Sequence, residues 1–166
     1  PGKENEKQNY DKIEIISNEK DPTKYSAKDS SGNVIKNSWI NRGTGYSFAD
    51  AEGVILTGWQ EIKEKTYYFS SPYGYMVTGG GSDSLIDGKY YNFNDSGVLQ
   101  RSAWRDLYYS DASGAFVKEG LKDIDGKIYY FQNFVPNKKE LRLEDQDVIL
   151  HFSDKGVLER VSNLNG

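Results

Sequence analysis

The stretch from Gly58 to Gly79, GWQEIKEKTYYFSSPYGYMVTG, decides how the rest of the chain is read. It has four parts in fixed order: Gly58-Trp59, a polar turn at Lys63, Glu64 and Lys65, an aromatic run Tyr67-Tyr68-Phe69, and a second turn closing on Gly74. Two short extended runs with a turn between them make a β-hairpin. Aromatic residues suit strands, whereas a helix of this length needs apolar residues three and four apart and fewer glycines. Side chains alternate along a strand, so Tyr67 and Phe69 share one face and Tyr68 takes the other. Both faces are therefore aromatic. A lone hairpin is marginal in water, and one with two apolar faces needs neighbours.

The rest of the sequence supplies them. Turn glycines recur from Tyr25 onward, at Ser31-Gly32, Glu52-Gly53, Tyr73-Gly74, Ser96-Gly97, Ser113-Gly114 and Lys155-Gly156, with spacings of 21, 21, 23, 17 and 42 residues. The last gap is two units of 21 without the middle glycine. An apolar pair follows most of these glycines, as in Val34-Ile35, Val54-Ile55 and Val98-Leu99. A larger anchor comes next (Trp39, Trp59, Trp104 or Leu121), and then an aromatic strand. Asp87-Gly88 and Asp125-Gly126 are two-residue hairpin turns by composition, and Asn41 to Gly45 is a longer loop in the same place. A period in this range marks a repeat architecture. The expected fold is all-β, a solenoid of stacked β-hairpins built from repeats of about 21 residues, each hairpin burying the open face of the one before.

Residues 1–22 read as a polar leader or linker, rich in Lys, Glu, Asn and Gln, in which only KIEII at Lys12 to Ile16 suits a strand. Residues 23–166 form the repeat domain, with an irregular segment near 134–147 that carries Pro136 and a charged run and reads as an insertion or the start of a capping unit. The chain begins at Pro1 without Met, which suggests a processed or trimmed product.

Composition narrows the function classes. Aliphatic residues are sparse, mean hydropathy is −0.76, and 13 Tyr and 17 Gly leave rings and turns to carry the burial. The net charge is −4 with both signs spread along the chain, which argues against nucleic acid as a partner. With no Cys there is neither a disulfide framework nor a thiolate metal site, and both a reducing cytosol and a bacterial surface fit that. No apolar run is long enough to form a transmembrane segment. Asp123, Asp125 and Gly126 resemble part of a calcium loop, but Leu121 and Gln132 stand where its Asp and Glu belong, so the segment reads as a plain turn. His151 is the single His, and any Ser-type triad must be built around it; no nucleophile-elbow sequence is present. No metal, cofactor or enzymatic activity is expected.

The order GW, polar turn, YYF, small turn and GYMVTG resembles the bacterial cell-wall-binding repeats known as choline-binding repeats, and DGKYYNF and DGKIYYF resemble the related repeats of clostridial toxins and glucan-binding domains. The resemblance covers about Tyr25 to Gly166, with the Trp59 unit the nearest match. It implies a secreted or cell-surface module of a Gram-positive bacterium, non-catalytic, whose rings meet a cell-wall polymer: choline on teichoic acid, or a glycan. Ring faces attract a quaternary ammonium, which cannot donate hydrogen bonds, by about 0.5 to 2 kcal/mol per contact. Carried over by position, the ligand-binding rings are Trp39, Trp59 and Trp104 at the GW position, with Tyr67, Tyr68, Tyr90, Tyr91 and Tyr109 at the YY positions. A further Trp that precedes YY in many choline-binding repeats is here Thr66, Lys89, Leu107 and Ile128, which shifts the expectation from choline toward a glycan. The rival expectation is a structural or adhesion module whose rings are all core and whose partner is a host or bacterial protein.

Overall fold

The computed structural model describes residues 12–165, which form seven small antiparallel sheets and divide into two compact units. The all-β hairpin fold expected from the repeats is what the chain adopts. No helix among the described residues is long and apolar enough to cross a membrane.

The first unit holds residues up to Leu85 together with Phe93–Leu99. Strand β1 (Glu14–Ser17) pairs with β2 (Tyr25–Lys28), β3 (Ser38–Asn41) with β4 (Tyr46–Ala49), and β5 (Gly58–Ile62) with β6 (Lys65–Phe69). Most of KIEII is thus strand β1, already part of the first hairpin, and residues 18–22 belong to that hairpin's turn; residues 1–11 of the expected leader lie outside the described residues.

The turns that close on Gly32, Gly53 and Gly97 share one plan, and one polar side chain builds each. Asp50 Oδ1 accepts the backbone N–H of Glu52 and Val54, while the Asp50 carbonyl accepts that of Gly53. Asp29 and Asn94 repeat this pattern with Ser31 and Asn33, and with Ser96 and Val98. Such side chains mimic a backbone turn, which is why Asp and Asn stand three residues before the glycine. The apolar pair after the turn runs back along the hairpin. Ile35 then donates to Ala27 and Leu56 to Phe48.

A second set of bonds links successive hairpins. The N–H of Ile55 reaches the carbonyl of Tyr25 (2.9 Å), Met76 reaches Tyr46 (2.7 Å) and Leu99 reaches Thr66 (2.8 Å). Beneath these rungs lie two cores. One gathers Ala27, Ile35, Ile40, Ala49 and Ile55, and the other Trp39, Tyr67 and Phe69.

The second unit holds Ile86–Asn92 and residues 100–166. Strand β7 (Leu85–Ile86) and β8 (Lys89–Tyr90) flank the Asp87-Gly88 turn, whose φ values of 50° and 83° are those of a type I′ turn. Next, β9 (Ala103–Arg105) pairs with β10 (Tyr108–Ser110), and β11 (Gly120–Ile124) with β12 (Lys127–Gln132). The irregular segment completes two sheets. Its start, β13 (Val135–Pro136), adds a third strand to β11–β12, at an edge where the missing N–H of Pro136 costs no ladder bond. Its end, β14 (Leu141–Leu143), opens a three-stranded sheet with β15 (Val148–Phe152) and β16 (Leu158–Asn163). Val117, Ile124 and Phe131 form this unit's core.

Candidate ligand-binding aromatic corners

Cross-strand pairing puts each Trp opposite one ring of its own hairpin: Trp39 opposite Phe48, Trp59 opposite Tyr68, and Trp104 opposite Tyr109. The alternation of β6 sends Tyr67 and Phe69 to the other face. That face covers the preceding hairpin. Tyr67 lies 5.0 Å and Phe69 6.0 Å from Trp39, so the hairpin's two aromatic faces do separate work.

The three Trp corners share this plan and differ in closure. Around Trp39 the rings of Phe48, Tyr67 and Phe69 are joined by Leu56, Ile62, Met76 and Val98, and Trp39 retains 5% exposure. Tyr67 keeps 6%. Both are core, with no ring face open to a ligand. Trp59 meets Tyr68 edge-on at 5.1 Å and 69°, and stacks on Phe93 at 5.8 Å and 27°, yet remains 38% exposed. Trp104 meets Tyr109 at 5.0 Å, Tyr129 at 5.2 Å and Phe131 at 6.0 Å, and remains 40% exposed. Trp59 and Trp104 are thus open two-sided corners, one in each unit, and they bring together Tyr68 and Tyr109 from the residues expected by sequence. Phe93 and Phe131 join them beyond the rings expected by sequence, with Tyr129, which stands at a YY position of the repeat. Their signal was the two-residue alternation, which puts the Phe of YYF on the face that covers the preceding Trp.

The register corrects the reading of KYYNF. The interhairpin rung that ends on Tyr25, Tyr46 and Thr66 in the first unit ends on Tyr90 in the second, where Phe116 donates to the Tyr90 carbonyl at 2.8 Å. Tyr90 therefore occupies the place of Thr66, the wall position, and Lys89 falls one residue before it. Tyr91 takes the place of Tyr67. Asn92, 2% exposed, takes that of Tyr68 and bonds Ser110 Oγ at 3.2 Å. Tyr90 meets Phe134 edge-on at 5.6 Å.

Where the GW glycine is lost, its left-handed backbone moves. Gly58 has φ 77°, whereas before Trp39 and Trp104 the positive φ falls one residue earlier, on Asn37 (51°) and Ser102 (49°). The Trp keeps its register in each case.

Among the described residues, Arg42 and Lys118 already use ring faces. Arg42 Cζ lies 3.9 Å from the Tyr75 ring centroid, and its guanidinium donates to Ser47 Oγ (2.9 Å) and to the Tyr73 carbonyl. Burial lowers the Arg42 pKa, and Tyr75 opposes the shift. Lys118 Nζ lies 5.8 Å over Phe134.

His151 has partners on both ring nitrogens: Ser162 Oγ at 2.9 Å from Nε2, and Glu140 at 3.5 Å from Nδ1. The order Ser162, His151, Glu140 is that of a triad. The Arg160 guanidinium sits 3.3 Å from Nδ1, the nitrogen that also faces Glu140.

No protein-family model and no curated protein sequence matches the chain. Solved structures do. Choline binding protein F from Streptococcus pneumoniae superposes with a TM-score of 0.71 at 20% identity over 88% of this chain. The same protein in the presence of a peptidoglycan analogue, a tetrasaccharide-pentapeptide, gives 0.70 at 26% identity over 89%. The chain spans 47% and 52% of those two structures, about half their length. The choline-binding domain of CbpL from Streptococcus pneumoniae matches 86% of the chain with 85% of its own length, at a TM-score of 0.55 and 19% identity. Hairpin order, interhairpin rungs and these superpositions agree: the chain has the fold of the choline-binding, or cell-wall-binding, repeat superfamily.

Proposed function

We propose that this chain is a non-catalytic module of a bacterial surface or secreted protein that holds a cell-wall polymer on the open corners at Trp59 and Trp104. The observation that carries the reading is the contrast in closure. One plan is built three times, and the Trp39 copy is sealed by apolar side chains while the other two leave about two fifths of the indole in solvent. Large rings left part exposed to water are unfavourable unless something covers them.

An open corner suits a sugar better than an isolated cation. A pyranose stacks one C–H face on one ring, whereas a quaternary ammonium gains most when several ring faces surround it. A second reading, choline, has one observation in its favour: Glu61 is exposed and shares a strand face with Trp59 and Tyr68, placing a carboxylate beside the rings.

Trp emission tests both. Titration with a soluble glucan oligosaccharide should give a saturable change that is reduced in Trp59→Ala and in Trp104→Ala. A response to choline alone, lost with Glu61→Gln, moves the assignment to choline. No response to either, with wall fragments also silent, makes the module a structural or protein-binding one.

A further inference from the structure

A groove of about 370 Å³ in the second unit lies between the Asp87-Gly88 turn and the segment 115–122, with Tyr90, Phe116 and Phe134 on its apolar side and Lys89, Lys118 and Lys122 around it. The charges lining this groove are not balanced. Three lysines stand against two carboxylates, both held by neutral donors and still charged: Asp111 accepts the backbone N–H and the hydroxyl of Ser113, and Glu119 accepts the Asn133 N–H at 3.1 Å. No carboxylate among the described residues pairs with any of the three lysines. The Lys118 ammonium is instead held over the Phe134 ring, 5.8 Å from its centroid.

We propose that this groove binds an anionic sugar, with the pyranose ring against Tyr90 and Phe134 and its carboxylate or phosphate at Lys118 and Lys122. An ammonium fixed beside a ring meets both halves of such a ligand at once, since the ring takes the C–H face and the charge takes the anion. The same cation repels choline. A groove of comparable kind in the first unit shows the difference: it has Lys20, Lys24, Lys28 and Lys36, but Lys24 is paired with Asp21 at 3.8 Å and no ring lines it. The site rests on the proposed affinity for cell-wall glycan only in its ligand class. It shares no residue with the Trp corners, so either can fail alone.

Calorimetric titration of the full chain tests it with three probes: a glucuronate-containing oligosaccharide, a sugar-phosphate oligomer and a neutral glucan of equal length. The result expected is binding of one or both acidic probes, weakened about tenfold at about 0.5 M NaCl. It should be weakened at least as much by Lys118→Glu with Lys122→Glu, and unchanged by Trp59→Ala with Trp104→Ala. Phe134→Gly removes the ring and suits the φ of 75° at that turn, so the backbone is preserved while binding falls. Preference for the first probe identifies a uronic acid, and preference for the second a phosphorylated polymer. Equal binding of the neutral glucan, indifference to charge reversal, indifference to Phe134→Gly, or no binding of either acidic probe overturns the proposal.

Discussion

At the scale of single residues, the turn glycines divide into those that only relax the backbone and those that admit a neighbour. Gly32 and Gly74 both have left-handed φ, 83° and 75°. A Cβ on Gly32 meets nothing within 4 Å, whereas one on Gly74 lies 2.5 Å from Ile55 Cγ2 and 2.7 Å from the Leu56 carbonyl oxygen. Gly32→Ala should therefore cost about 1 kcal/mol, the left-handed penalty alone. Gly74→Ala adds a backbone clash and should cost about 3 kcal/mol or more. Urea unfolding of the two variants measures the difference, and equal costs would mean that repeats do not pack on these turns. Sequence showed that glycines recur and that Asp or Ser accompanies them. It did not show which glycine faces a neighbour, because that depends on where the side chains of the preceding repeat lie.

At the scale of the element, the hairpin with two aromatic faces was legible in Gly58–Gly79, and the stacking follows from it: Tyr67 and Phe69 cover Trp39, while Trp59 meets Tyr68 on its own hairpin and Phe93 from the next segment. The burial of each Trp was not legible. Trp39 and Trp59 sit in similar local sequence, and the cluster that Trp39 forms with Tyr67 and Phe69 is packed by Leu56, Ile62, Met76 and Val98, brought in from later in the chain. The Tyr90 register was hidden for a similar reason. A YY doublet looks alike in either register, and only the rung from Phe116 distinguishes them. The two Trp types should separate stability from binding. Trp39→Ala should lower unfolding stability by about 3–5 kcal/mol, as for other large-to-small core changes. Trp59→Ala, with its ring already part exposed, should cost about 1–2 kcal/mol. Thermal and urea denaturation give the comparison; equal losses would show that Trp59 is as structural as Trp39.

For the whole molecule, one open corner in each unit suggests function through repetition of weak sites. A single ring corner binds a sugar weakly, but a repetitive polymer that engages two sites gains about 10²-fold or more through effective concentration. The fold class was legible because period, turn chemistry and strand alternation agree, and its superpositions on choline binding protein F reach 88% and 89% of the chain. The ligand was less legible, since the same rings serve as core and as binding wall and only exposure separates the roles. The most direct test of the polymer-holding account is cosedimentation with purified Gram-positive cell walls, comparing the native chain with Trp59→Ala/Trp104→Ala. The account predicts that the native chain pellets with the walls while the double variant stays in solution with its far-ultraviolet circular dichroism unchanged. A double variant that pellets as fully as the native chain would contradict it.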